Sequence, residues 1–154
     1  MLTHLNEEGR ARMVDVSGKQ ITAREAIAGA TVNLNAKTLD LVLKGEMKKG
    51  DVLAVAQVSG IMAAKRTSDI IPMCHPIALL SVDISFFVDE LRCAIDITAT
   101  VKCRGETGVE MEALTAVFAT ALTIYDMCKA VQRDIEISNV RLLKKSGGKS
   151  AKSD

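Results

Sequence analysis

The sequence predicts an α+β fold of the ferredoxin-like kind. That is a four-stranded antiparallel sheet packed against two long helices, here with a short extra strand and helix near the N-terminus. Three observations lead there. SVDISFFV (81–88) and CAIDITATVK (93–102) alternate apolar and polar residues, and DELR between them makes a hairpin. VLAVAQVSGIMAAKRTSD (52–69) and the stretch after Gly108 are apolar over several turns and read as helices. The core order is then strand, helix, strand, strand, helix, strand, with a small helix inserted early.

Taken from the N-terminus, residues 1 to about 10 read as a loose terminus. MVDVSGK (13–19) is a short strand entering a turn at Ser17 and Gly18. Residues 22–34 are ambiguous: TAREAIA has helical propensity, while Ala26, Ala28, Ala30, Val32 and Leu34 alternate as in a strand. Strand is favoured for the second half. Asn35 caps a short helix, AKTLDLVLKGEM, stopped near Gly45. Asp51 caps the longer helix, which ends before Pro72. Gly108 opens the second long helix, and DIEISNVRLL (134–143) closes the fold as the last strand. From about residue 146 the lysine- and glycine-rich end reads as a flexible tail. With no repeat and no long linker, residues 1–154 make one domain.

Both long helices are apolar most of the way round. A helix lying on a sheet with its back in water carries a polar stripe. The missing stripe predicts surfaces buried between subunits, and hence an obligate oligomer.

Composition narrows the function classes. Twenty basic and 19 acidic residues leave a net charge of +1, no field for duplex nucleic acid. Phe86, Phe87, Phe118 and Tyr125 are the only aromatics, a poor supply for base stacking. Uncharged runs reach 13 residues, as at 52–64 and 113–125, against about 20 needed to span a bilayer. The opening MLTHLNEEGR lacks the apolar h-region of a signal peptide, so a soluble, cytoplasmic protein is expected. Cysteines 74, 93, 103 and 128 form no CxxC pair and no zinc spacing, and they read as reduced thiols.

Chemistry is concentrated in a few clusters. After the uncharged run 113–125, Asp126 and Lys129 stand one turn apart, with Glu110 and Glu112 at the helix's other end. Buried ionisable groups are costly unless paired or used, so an acid and a base in a dry helical wall suggest proton transfer. The plainer alternative is an i, i+3 surface ion pair. Glu112 and Asp126 share nearly one helix face but lie roughly 21 Å apart along it. Two copies of the helix running antiparallel across a two-fold axis would bring Glu112 of one subunit toward Asp126 of the other.

In MKKGDV, Lys48 and Lys49 precede a capped helix start, a phosphate-binding arrangement or simply a solvated basic loop. In AAKRTSDIIPMCHP, Lys65 and Arg66 end a helix. His75 follows in a loop pinned by Pro72 and Pro76, as a proton carrier or a histidine satisfied by backbone. GGKS invites comparison with a Walker A loop, but Leu143 stands where that pattern needs glycine.

MVDVSGK, MKKGDV, AAKRTSDIIPMCHP, TGVEMEALTA, LTIYDMCKAV and RLLKKSGGKS, in this order over about residues 13–149, resemble the MoaC family of molybdenum cofactor biosynthesis, the cyclic pyranopterin monophosphate synthases. Met73 stands where leucine is common in that family. The resemblance implies a lyase-type enzyme that converts (8S)-3′,8-cyclo-7,8-dihydroguanosine 5′-triphosphate to cyclic pyranopterin monophosphate with loss of pyrophosphate. It also implies a ferredoxin-like fold and a hexamer built as a trimer of dimers, with the site at the dimer interface. The substrate would come from an upstream radical GTP cyclase, with transient contact between the two enzymes.

By the same resemblance Asp126, Lys49 and Lys129 are catalytic. Met73, Cys74, His75, Met111 and Glu112 contact substrate, and Glu110, Arg24, Lys65 and Lys145 join them by motif position. No resident metal or cofactor is implied, magnesium entering only on the triphosphate. The rival reading is a non-catalytic nucleotide- or pterin-binding oligomeric module. It predicts binding without turnover and tolerance of Asp126→Asn.

Overall fold

The computed structural model describes residues 3–148. Within them the elements run β1 (Thr22–Asn33), α1 (Ala36–Leu43), α2 (Val52–Lys65), α3 (Thr67–Ile70), β2 (Leu79–Asp89), β3 (Ala94–Gly105), α4 (Glu110–Cys128) and β4 (Glu136–Ser146). The sheet order is β2-β3-β1-β4 with every neighbouring pair antiparallel, the ferredoxin-like arrangement expected. Ala26, Ala28, Ala30 and Val32 of β1 and Ile95, Ile97, Ala99 and Val101 of β3 are buried together with Ala113, Ala116, Val117, Ala121 and Ile124 of α4. Small residues on the two central strands let α4 lie close over the sheet.

Local signals hold where capping chemistry decides. The Asn35 side chain accepts from the Thr38 N–H at 2.8 Å, and that of Asp51 accepts from the Ala54 N–H at 3.0 Å. Gly45, at φ +68°, turns the chain out of α1. Elsewhere the structure corrects the reading. β1 is strand over its whole length, because pairing with β3 and β4 on both sides overrides the helical propensity of its first half. The expected extra strand at 13–19 is absent: Met13–Val16 lies outside the sheet, and only Leu5 and Ala11 form an isolated bridge nearby. The helix expected over 52–69 breaks at Arg66, where φ −112° and ψ 14° separate α2 from the single turn of α3. β4 runs to Ser146, three residues past the expected end at 143, so Lys144 and Lys145 belong to the sheet. Residues 149–154, most of the expected tail, lie outside the described residues.

α2 and α4 lie close together at Gly60. A Cβ there would stand 3.1 Å from the Ala116 carbonyl oxygen and 3.2 Å from Ile84 Cδ1, and would collide with the Thr120 hydroxyl. Gly60→Ala is expected to destabilise, since overpacking costs about 1–3 kcal/mol against roughly 1 kcal/mol gained in helix propensity. The urea midpoint measures it; an unchanged midpoint would mean the helices part freely at this point.

By length and composition α4 could cross a membrane, yet 56% of its apolar window is buried inside the fold. That is the setting of a core helix. Its outer face still exposes Phe118 and Leu122, and α2 exposes Val55, Val58 and Met62 at helical spacing. This apolar back is the structural counterpart of the missing polar stripe.

Candidate active site

The antiparallel run of α2 and α4 sets the start of α2 beside the end of α4. Lys49, just ahead of the α2 cap, donates from Nζ to the Asp126 carboxylate at 2.9 Å and to the Asp126 carbonyl oxygen at 3.0 Å. Lys129 Nζ lies 2.7 Å from the other carboxylate oxygen. The i, i+3 pair that spacing alone allows does form, with a third member from 77 positions earlier in the chain.

The cluster is not in a dry wall, however. The Asp126 and Lys129 side chains are 54% and 56% exposed, because they lie on the outer side of a turn whose Ile124, Met127 and Cys128 face the interior. Hydrogen bonds from Lys129 and Lys49 pull the Asp126 carboxyl down to about 2, and the bond to Asp126 raises Lys129 above its ordinary value. At neutral pH the group is therefore an anion held between two ammonium ions.

The other assigned residues gather at the opposite end of α4. Glu112 is 4% exposed, and burial, added to by the charge of Glu110, raises its pKa. Cys74 lies within reach of that charge; burial first, then Glu112, raises its thiol. His75 Nε2 donates to the Val14 carbonyl oxygen at 2.6 Å, so this nitrogen is satisfied by backbone and ties residues 13–16 to the loop after α3. Met73 shares that loop half-buried, Met111 is partly exposed on the first turn of α4, and Lys65 is exposed in the last turn of α2.

Arg24 donates from Nε to the Gly105 carbonyl at 3.2 Å and from Nη2 to that of Glu106 at 3.0 Å. Lys145 donates to Glu110 at 2.9 Å. Burial opposes the ionisation of Glu110, but this hydrogen bond, one from its own N–H and the charges of Lys145 and Arg24 hold its pKa low.

Arg24, Glu110 and Lys145 line a cavity of about 730 Å³. Its wall adds Lys19, Glu106 and Gly108, none of which the sequence assigned to a site, and the Gly147–Gly148 turn of the GGKS stretch. Lys19 stands in the recognisable MVDVSGK stretch, which was the available signal. Along α4 this end lies roughly 24 Å from Asp126. One chain thus carries two clusters of charged side chains separated by most of the length of α4. Among the described residues no three His, Cys, Asp or Glu side chains gather as a metal site.

A sequence model described as the MoaC family matches residues 13–148. A cyclic pyranopterin monophosphate synthase of Thermoanaerobacter sp. (strain X514) is 64% identical over 149 residues, covering 97% of this chain and 94% of that protein. Similar proteins of the same name come from Peptoclostridium acidaminophilum, 62% identical over 148 residues with 96% and 93% covered, and from Clostridium acetobutylicum, 59% identical over 150 residues with 97% and 93% covered.

Proposed function

The chain belongs to the MoaC family, and from that premise we propose that it converts (8S)-3′,8-cyclo-7,8-dihydroguanosine 5′-triphosphate to cyclic pyranopterin monophosphate in molybdenum cofactor biosynthesis, releasing pyrophosphate. The observation that carries a catalytic rather than a merely binding role is the convergence of Lys49 and Lys129 on Asp126. Opening and reclosing a purine-derived ring moves protons on and off nitrogen and oxygen, which needs positioned acids and bases. Lys129, held protonated, is the proton donor. Lys49 stabilises charge developing on the phosphates. Asp126, with its carboxyl near 2, is a weak base and acts by holding both ammonium groups in register. Glu112, its pKa raised by burial, is suited to accept or return a proton.

The working unit is a dimer in which this cluster of one subunit meets Glu112, Cys74, His75 and Met111 of another. Support comes from the separation of the two clusters along α4 and from the apolar outer faces of α2 and α4. Three such dimers make the hexamer, and the protein works in the cytoplasm. Each of Asp126, Glu110 and Glu25 is engaged by lysines, so magnesium enters on the substrate's triphosphate rather than in a protein cage. The upstream radical GTP cyclase supplies the substrate by transient contact.

The test is incubation of the purified protein with that cyclic triphosphate, followed by chromatography for pterin and pyrophosphate. Turnover is expected. Tight binding with no product would leave the rival reading, a binding module.

A further inference from the structure

α4 ends without a local signal to stop it. No glycine or proline occurs between Lys129 and Ser146, and Lys129–Arg133 reads Lys-Ala-Val-Gln-Arg, a run that would carry a helix on. Lys129 itself keeps helical dihedrals, φ −60° and ψ −20°. Yet the ladder ends on the Lys129 N–H, which donates to the Tyr125 carbonyl at 2.9 Å. The N–H groups of Val131 and Gln132 both turn back to the Cys128 carbonyl, at 3.0 and 3.2 Å. The Asp126 carbonyl, next in the ladder, accepts from Lys49 Nζ at 3.0 Å. A helix one residue longer would give that carbonyl to the Ala130 N–H.

Gln132 is placed to hold the stop. It is 7% exposed. Its Oε1 accepts from the Asn35 N–H at 2.9 Å, and its Nε2 donates to the Asp134 carboxylate at 3.1 Å. These bonds tie the chain after α4 to the cap of α1, and lengthening α4 would draw Gln132 away from both partners. We infer that Gln132 is a positioning residue that ends α4 at Cys128 and so keeps the Asp126 carbonyl open to Lys49. An ammonium has three N–H donors. The carboxylate and carbonyl of Asp126 take two of them, which fixes the group's orientation and leaves the third for substrate. With the carbonyl lost to Ala130, Lys49 would swing on the carboxylate alone. That Lys49 acts in turnover rests on the function proposed above, whereas the helix stop does not.

The experiment compares Gln132→Ala with Gln132→Gly in the full-length protein. Both lose the two side-chain bonds, but alanine favours a longer helix and glycine opposes one. In Gln132→Ala the Ala130 amide is expected to exchange with deuterium about tenfold more slowly, the scale of one added hydrogen bond. Mass spectrometry of overlapping peptides reads it. On the cyclic triphosphate, kcat of Gln132→Ala is expected to fall about tenfold with KM little changed, the effect of a displaced catalytic group. Gln132→Gly is expected to keep the fast Ala130 exchange and most of the turnover. A merely structural side chain predicts the reverse order, glycine being the more damaging of the two. Should Gln132→Ala fail to fold, Gln132→Met keeps both volume and helix propensity and takes its place. Unslowed Ala130 exchange in the helix-favouring variant overturns the inference, and so does slowed exchange with wild-type kcat. If the wild type leaves the cyclic triphosphate unchanged, slowed exchange still sustains the helix stop while the synthase reading falls.

Discussion

Asp126→Asn is expected to lower turnover by about 10²- to 10⁴-fold, the range for loss of a positioned acid–base group, without loss of fold or assembly. The side chain is 54% exposed and held by two lysines, so its charge rather than its volume is at stake. Asparagine keeps the shape but no longer holds Lys49 and Lys129 as counter-ion. A second, independent reading comes from pH. The Asp126 carboxyl, near 2 in the folded chain, stays an anion across any working range, so an acid limb above pH 4 does not report it. Lys129 is raised by Asp126, and without that partner its pKa falls back. Activity that needs protonated Lys129 should then fail at lower pH on the alkaline side. Both limbs lie at or above the ordinary lysine value of 10.5, so steady-state rates from about pH 9 to about pH 12 measure this. Wild-type turnover with an unmoved alkaline limb would remove the cluster from the chemistry.

Mixing two inactive variants should restore activity. If each site pairs the Asp126 cluster of one subunit with Glu112 of another, Asp126→Asn and Glu112→Gln homo-oligomers each have every site damaged. Random reassembly after equal mixing places both lesions in one site and none in the other in half of the dimers. About a quarter of wild-type activity is therefore expected, far above either parent. The measurement is turnover after mild dissociation and reassembly, with the unmixed variants carried through the same treatment. No recovery from variants shown by mass spectrometry to have exchanged subunits would place the whole site in one chain. The two clusters would then have to meet by some other route than an interface.

Much of the architecture was legible because local chemistry decides it. Asn35 and Asp51 are caps with their acceptors three residues from the donors, and the alternation in β2 and β3 needs no knowledge of the rest of the chain. The errors fall where neighbours distant in sequence decide. TAREAIA is strand because β3 and β4 both claim its backbone, a competition invisible in a window of seven residues. MVDVSGK has the look of a strand but pairs with neither edge strand, β2 or β4, and the Val14 carbonyl goes to His75 instead. The long α2 pattern continues past Arg66, although the backbone there does not.

The site divides in the same way. Sequence alone determined that α4 carries an acid and a lysine one turn apart, that two acids stand at its start, and that Lys49 precedes a capped helix. Its motifs also identified the family. It could not establish that Asp126 is exposed while Glu112 is buried, for the two stand in equally apolar surroundings along the chain. Nor could it pair Lys49 with Asp126 across 77 positions or Glu110 with Lys145 across 35. Those contacts follow from the antiparallel packing of α2 on α4 and from β4 extending beside the start of α4. Helix caps and periodicity are set by neighbours within a turn, whereas burial and ion pairing depend on which surfaces the folded layers bring together. Only the tertiary structure decides that.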